Sequence, residues 1–252
     1  TLDGGAGFDR LNGNSADNDL TLTGLNQGTL DKVSFSSIEN IYLQGGNDNV
    51  TIENGGGLSG LLDGGDGNNT LIVDDNHPIT IGEDGKIIIG GGDSGGGYKN
   101  FQNIKGKNNN SGNQTNKITL NSNSNNVSIT GPNSGTVEGT AFTNISDIDL
   151  AGGDDNAIIS ATGSLSGTLK GGEGKDDLFL NNADNVINVD HNGSGNLISN
   201  FNDLPAIILP PPIPTDFDGF EIIRLDDGRD IANLTFDAST EKTTKQPLRI
   251  DG

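Results

Sequence analysis

The sequence predicts an all-β chain wound as a parallel β-solenoid, of the β-helix or β-roll kind, made of long internal repeats that recur at an offset of 107 in the numbering. Three observations lead there: short apolar-x-apolar triplets that follow closely after Asn or Asp, a constant offset relating long stretches of the chain, and Gly/Asn/Asp punctuation between the triplets. The triplets include Leu20-Thr21-Leu22, Val50-Thr51-Ile52, Leu71-Ile72-Val73, Ile118-Thr119-Leu120, Val127-Ser128-Ile129 and Leu178-Phe179-Leu180. A period of two marks each as a strand with one inward face. Each supplies two or three inward side chains, too few for an ordinary sheet core but enough for one wall of a stacked coil. No stretch sustains a 3.6-residue period with caps, so helix is expected to be scarce.

The repeat is read from paired segments. Phe35-Ser36-Ser37-Ile38-Glu39-Asn40-Ile41-Tyr42-Leu43 returns as Phe142-Thr143-Asn144-Ile145-Ser146-Asp147-Ile148-Asp149-Leu150, every residue number raised by 107. At the same offset Gly45-Gly46 falls on Gly152-Gly153, Asp48 on Asp155, and Leu58-Ser59-Gly60 on Leu165-Ser166-Gly167. Phe101 and Phe217 stand 116 apart, and the extra length matches a Pro-rich stretch, 205–214, that lacks a counterpart in the first copy. Such a stretch cannot donate to a sheet ladder and reads as an extruded polyproline-like loop. The expected organisation is a first unit over 1–107, a second over 108–223 carrying the 205–214 insertion, and over 224–252 the start of a third unit or a C-terminal cap. Leu248-Arg249-Ile250-Asp251-Gly252 echoes Thr1-Leu2-Asp3-Gly4, so both ends are expected to be interior points of a longer array. Tandem β-sandwich domains are the alternative, since a repeat of this length is also the size of one such domain. Phe35, Phe101, Phe142 and Phe217 are expected to fill the interior.

Composition narrows the function. Only 30% of the 252 residues are apolar, 40 are Gly, and the net charge is -21. Without the periodicity this would describe a disordered chain. An acidic balance disfavours nucleic acid and anionic membranes and favours divalent cations. With no Cys and two His, thiolate and zinc sites are improbable, and stabilisation falls to backbone hydrogen bonds, side-chain ladders or oxygen-ligated ions. No run of about 18 apolar residues is present, so no helical membrane span is expected.

One motif carries metal chemistry. Gly4-Gly5-Ala6-Gly7-Phe8-Asp9 has the spacing G-G-x-G-x-D, and Leu2, Leu11 and Leu20 are nine apart, as two tandem nonapeptides require. The second is degraded, with Asn14 in place of Gly and Asn18 in place of Asp. Gly64-Gly65-Asp66-Gly67-Asn68-Asn69 and Gly171-Gly172-Glu173-Gly174-Lys175-Asp176 repeat the pattern, Asn69 replacing the Asp. The motif resembles the nonapeptide of RTX proteins, the hemolysin-type calcium-binding β-roll family. That resemblance implies Ca²⁺ bound by the carbonyls of Gly4, Gly5, Gly7, Gly64, Gly65, Gly67, Gly171, Gly172 and Gly174, with Asp66 and Asn69 in the second copy and the carboxylates of Asp9 and Asp176 strongest. Ca²⁺ takes six to eight hard oxygens, which close-packed turns supply without long side chains. The chain departs from the family in that its motifs are isolated rather than in long tandem runs, and a turn whose Asp caps backbone amides is the competing reading. More broadly, the Phe-x-x-Ile-x-x-Ile-x-Leu element resembles repeats of large bacterial haemagglutinin-like surface proteins.

The acidic doublets Asp74-Asp75, Asp154-Asp155, Asp176-Asp177 and Asp226-Asp227 have the residue types of a glycoside hydrolase pair. They recur at turns, however, whereas an active site is normally unique, and a chain with four Arg and two His offers few partners for them. The expectation is therefore a non-enzymatic structural or adhesive module of a large extracellular or cell-surface bacterial protein, filament-forming or spacer-like and calcium-stabilised. A calcium-dependent folding or secretion module and a β-helix carbohydrate-active enzyme are the alternatives. Expected partners are copies of itself or a surface polysaccharide, the more basic tail with Lys242, Lys245 and Arg249 suiting head-to-tail contact with the acidic body.

Overall fold

The computed structural model describes residues 1–74, 77–82, 86–89, 97–107, 116–180, 185–190, 195–199, 215–218, 220, 222–225, 231–235 and 249–251; the segments 185–190, 195–199, 215–218 and 231–235 are described through their backbone. The Pro-rich stretch 205–214, Asp75, Asp226-Asp227, Lys242, Lys245 and His191 lie outside the described residues. Everything regular among the described residues is strand, and no helix occurs there. The chain is a β-solenoid whose strands fall in two mostly parallel sheets.

Two compact units are present: 1–118 with 139–145, and 119–138 with 146–252. In the first, one sheet runs in the order Leu2–Asp3, Val33–Ser36, Gln27–Leu30, Asp19–Gly24, Asn49–Ile52, Thr70–Val73, Asn103–Gly106, Thr140–Thr143. The other runs Arg10–Asn12, Asn40–Tyr42, Leu62–Asp63, Tyr98–Lys99, Ile87–Ile89, Ile79–Ile81. In the second unit, Asn126–Gly131, Asn156–Ile159, Asp177–Leu180, Ile222–Leu225 and Arg249–Asp251 form a consecutive parallel run in one sheet, and Asp147–Asp149, Thr168–Lys170 and Thr215–Asp218 in the other.

Register follows the apolar triplets. Leu20, Val50 and Leu71 stack in one row and Leu22, Ile52 and Val73 in the next. In the second unit Val127, Ala157 and Leu178 stack, as do Ile129, Ile159 and Leu180. All twelve are buried, while the residue between each pair faces outward. The pairing itself repeats at the offset seen in the sequence: Asn49↔Thr70 becomes Asn156↔Asp177, and the bridge Gly45↔Asp66 becomes Gly152↔Glu173. Phe35, Phe101 and Phe142 are interior, at 3%, 6% and 1% exposure. Phe217 lies on a described strand, and the fully buried aromatic beside it in sequence is Phe220.

Antiparallel excursions interrupt the coils, an element the triplets did not announce. Asp19–Gly24 turns back through Gln27–Leu30 and again into Val33–Ser36. Both turns have two-residue loops. In the second, Asp31 and Lys32 are both left-handed (φ 49° and 71°), the type I′ geometry that matches strand twist. Asn126–Gly131 and Ser134–Val137 make the equivalent hairpin in the second unit, with Asn133 at φ 50° where Asn26 has φ 57°.

Candidate functional site

The corners where the chain crosses from one sheet to the other hold the motif residues. At one corner of the first unit the turns 13–18, 43–48 and 64–69 stack in a column, because Asn12, Tyr42 and Asp63 are in register on one side and Asp19, Asn49 and Thr70 on the other. The second unit has the same column at 150–155 and 171–176, with 120–125 stacked before them. The motif copies 64–69 and 171–176 are therefore not isolated. Each stacks on the turn one coil upstream, 43–48 or 150–155, which keeps the third motif glycine (Gly46 or Gly153) and the acid but is disguised at the first two glycine positions, held by Leu43-Gln44 or Leu150-Ala151. A scan for Asn or Asp directly before each strand, spaced 30 and then 21 apart, would have found them.

The last turn residue points into the corner and forms a ladder. Asn18 N–H donates to Asp48 Oδ1 (2.8 Å), Asp48 N–H to Asn69 Oδ1 (2.9 Å), and Asn69 N–H to Gln102 Oε1 (2.7 Å). In the second unit Asn125 N–H donates to Asp155 Oδ1 (2.7 Å) and Asp155 N–H to Asp176 Oδ1 (3.0 Å). Asn18, Asp48, Asn69, Asn125, Asp155 and Asp176 are all at most 1% exposed. A second ladder runs outside it: Asn47 N–H to Asp17, Asn68 N–H to Asn47, and Lys175 N–H to Asp154. Turn amides that no strand can pair are thus satisfied by the next turn's side chain, as buried backbone donors require.

Glycine has a steric role here. At Gly67 (φ +112°) a Cβ would lie 1.8 Å from the Gly46 carbonyl oxygen, and at Gly174 (φ +132°) 1.7 Å from that of Gly153. Turn packs on turn at a spacing only a bare Cα allows.

Calcium was tested against these corners. In 64–69 the amide of Asn69 donates to the carbonyls of Gly65 (3.4 Å) and Asn100 (2.9 Å), so a side-chain N–H fills the position facing the carbonyls and a cation does not fit. Asp66 lies in its turn with its N–H on the Gln44 carbonyl and does not join Asn69 inside the corner. Asn125 does the same in the second unit, donating to the carbonyls of Asn121, Asn123 and Leu150. In 171–176, Asp176 Oδ1 is taken by the Asp155 amide and the Glu173 carbonyl by the Gly153 amide, which leaves the turn short of six to eight free oxygens. No group of three or more His, Cys, Asp or Glu converges among the described residues.

The turn 4–9 differs. It stacks on Ser36–Glu39 rather than on a motif copy: Gly4 N–H donates to the Ser36 carbonyl and Asp9 N–H to Glu39 Oε2 (2.8 Å). Asp3 Oδ1 accepts from Gly5 N–H and Ser36 Oγ. Asp9 Oδ2 is buried and accepts no hydrogen bond, and a Cβ on Gly4 would strike the Asp9 side chain and the Ser37 carbonyl. Gly5 and Gly7 are left-handed with open space around them.

Described members of the acidic doublets have structural partners. Asp154 caps Lys175, Asp155 caps Asn125, and Asp177 is paired by Arg224 at 2.9 Å, which also reaches Asp251 at 3.2 Å. Asp74 lies 4.0 Å from Lys107, whose ammonium is 2.9 Å from Glu53. Beside the turn 13–18 is a hollow of about 240 Å³ with Leu2, Leu11, Leu30 and Val33 among its walls and Asn12, Asn14 and Asp31 at its polar side. No protein-family model, no curated protein and no solved structure matches this chain.

Proposed function

We propose that the chain is a non-catalytic structural module, a stiff spacer or adhesive repeat of an extracellular surface or filament-forming protein. The observation that carries this reading is the side-chain ladder of Asn18, Asp48 and Asn69, repeated in Asn125, Asp155 and Asp176, because it ties the turns together where the sheets cannot. A coil whose turns and strands are both cross-linked by hydrogen bonds resists bending and leaves few exposed amides for proteases. Self-association or contact with a surface polysaccharide belongs to the same proposal. The test is mechanical: single-molecule pulling on the chain held at both ends should give a few large unfolding events at high force. A smooth extension at low force would overturn the reading.

One observation favours a calcium role at a single place. Asp9, with its free buried oxygen, is the carboxylate of the turn 4–9 that would hold the ion, together with backbone oxygens of the same turn. Ca²⁺ at 100 times its dissociation constant would add about 2.7 kcal/mol per site. Thermal unfolding in excess Ca²⁺ and in chelator reads this directly: equal melting temperatures would remove calcium and leave the structural module standing.

A further inference from the structure

The two ladders share a chemical mismatch at equivalent positions of the two units. Where the corner residue is Asn69 or Asn125, its amide nitrogen is used. Asn69 Oδ1 accepts the Asp48 amide, and its Nδ2 donates to the carbonyl four residues back in its own turn, Gly65, and to the next turn at Asn100. Asn125 Nδ2 likewise donates to the carbonyl four residues back, Asn121, and to the next turn at Leu150. Asp48 and Asp155 stand on the same rung and use Oδ1 in the same way, but Oδ2, in the place of the amide nitrogen, is buried and accepts no hydrogen bond. The carbonyls four residues back, Gln44 and Ala151, accept the Asp66 and Glu173 N–H groups of the next turn. In a site at most 1% exposed, an ionised carboxylate has donors at Oδ1 only, and the charge on Oδ2 is buried without one.

We infer that Asp48 and Asp155 serve as neutral acid rungs, each holding a proton on Oδ2 that does the work of the amide N–H in its Asn neighbours, so that the ladder is a proton-loaded device that tightens in mildly acidic surroundings and loosens above them. This follows from the failure of the corners to fit calcium: a proton, not a metal ion, answers the second oxygen. The surroundings agree. Burial, the largest influence, pushes the Asp155 carboxyl up to about 6; the hydrogen bonds from Asn125 pull the other way, and Asp154 and Glu138 push it up further. From the following turn Asp176 faces it through the Asp155 amide. Asp48 is raised by the same burial against the Asn18 hydrogen bond, with Asp17 and Asp31 adding to the rise, and neutral Asn69 facing it from the next turn.

The sign is set by linkage. A carboxyl whose folded pKa lies above its unfolded value leaves stability intact at low pH. That stability is lost as pH rises from about 4, where the unfolded chain ionises, to about 6, where the folded chain does. For Asp155 alone this amounts to as much as about a hundredfold in the folding constant.

Two measurements on the full chain test it. In chelator, carboxyl-carbon NMR of the wild type should show one Asp titrating near pH 6 that disappears in Asp155→Asn and another titrating above the ordinary aspartate range that disappears in Asp48→Asn. In thermal unfolding each variant should melt above wild type at pH 8, with the gap closing at pH 5. Midpoints in the ordinary aspartate range for both carboxyls, or a variant less stable than wild type at pH 8 in chelator, would overturn the proposal. So would a wild type whose pH 8 stability rises with Ca²⁺ while Asp155→Asn does not respond, since a cation would then be the occupant.

Discussion

Replacing Gly67 by Ala separates the two jobs a glycine can have in a tight turn. At Gly5 (φ +87°) a Cβ would meet nothing within 4 Å, so Ala there costs only the left-handed backbone, about 1–2 kcal/mol. At Gly67 the same backbone cost applies, but the methyl would sit 1.8 Å from the Gly46 carbonyl oxygen. A carbon and an oxygen need about 3.3 Å. The turn 64–69 must therefore lift off 43–48, which stretches the Asp66 N–H bond to the Gln44 carbonyl (2.9 Å) and the Asn68 N–H bond to Asn47 Oδ1 (2.9 Å). With about 1 kcal/mol for each hydrogen bond, the total is about 3–4 kcal/mol. In urea, with a slope of about 2–3 kcal/mol per molar, the midpoint followed by far-UV circular dichroism should fall by more than about 1 M for Gly67→Ala and by about 0.5 M for Gly5→Ala. Equal shifts for the two variants would refute the claim that turn-on-turn contact, rather than backbone conformation, fixes the glycines of this motif.

Further outcomes follow from the same geometry. Phe142→Ala removes a 1%-exposed interior ring and should cost about 3–5 kcal/mol in denaturant unfolding. Asn125→Ala strips the amide from three carbonyls and should cost about 1–3 kcal/mol, whereas Asn125→Asp should cost less at pH 5 than at pH 8. Arg224→Ala should change stability by less than about 1 kcal/mol, and added salt should shrink that further, since the guanidinium is partly solvated. Asp63 behaves oppositely to Asp155: burial works to raise its pKa, but Lys99, Asn100 and the Gly65 amide outweigh it and hold the carboxyl low. Its contribution is present above about pH 4 and lost as pH falls, so Asp63→Asn should flatten the acid limb of the stability curve.

The coils were legible because burial is written in a two-residue period. Leu20/Leu22, Val50/Ile52 and Leu178/Leu180 declare an inward face without reference to anything distant, and Phe35 with Phe142 declares the repeat. The hairpins at 24–27 and 30–33 were not legible as such. Gln27–Leu30 has only Leu30 as a large apolar residue, and its turn signals, Asn26 and Asp31-Lys32, are lost among the chain's many Asn and Asp. Nor did the motif spacing reveal its own partners. The turns 43–48 and 150–155 lack both leading glycines: Leu43 and Leu150 hold the first position, and at the second Gln44 and Ala151 adopt the left-handed conformation themselves (φ 79° and 69°). The competing reading of Gly-Gly-x-Gly-x-Asp, a turn whose acid caps amides, describes 171–176, but the amide capped belongs to the neighbouring turn, a full coil away in sequence, which local sequence cannot show.

Native-state hydrogen exchange at the amides of Asn18, Asp48, Asn69, Asn125 and Asp155 tests the ladder most directly. All five lie outside the strands, in corners that a solenoid held by its sheets alone would leave to solvent. If side-chain rungs bind the turns together, these amides exchange as slowly as those of Leu22 and Ile159 within the sheets, and Asn18 accelerates when Asp48 is changed to Ala. Exchange at the rate of ordinary loops, with the strand amides still protected, would contradict it.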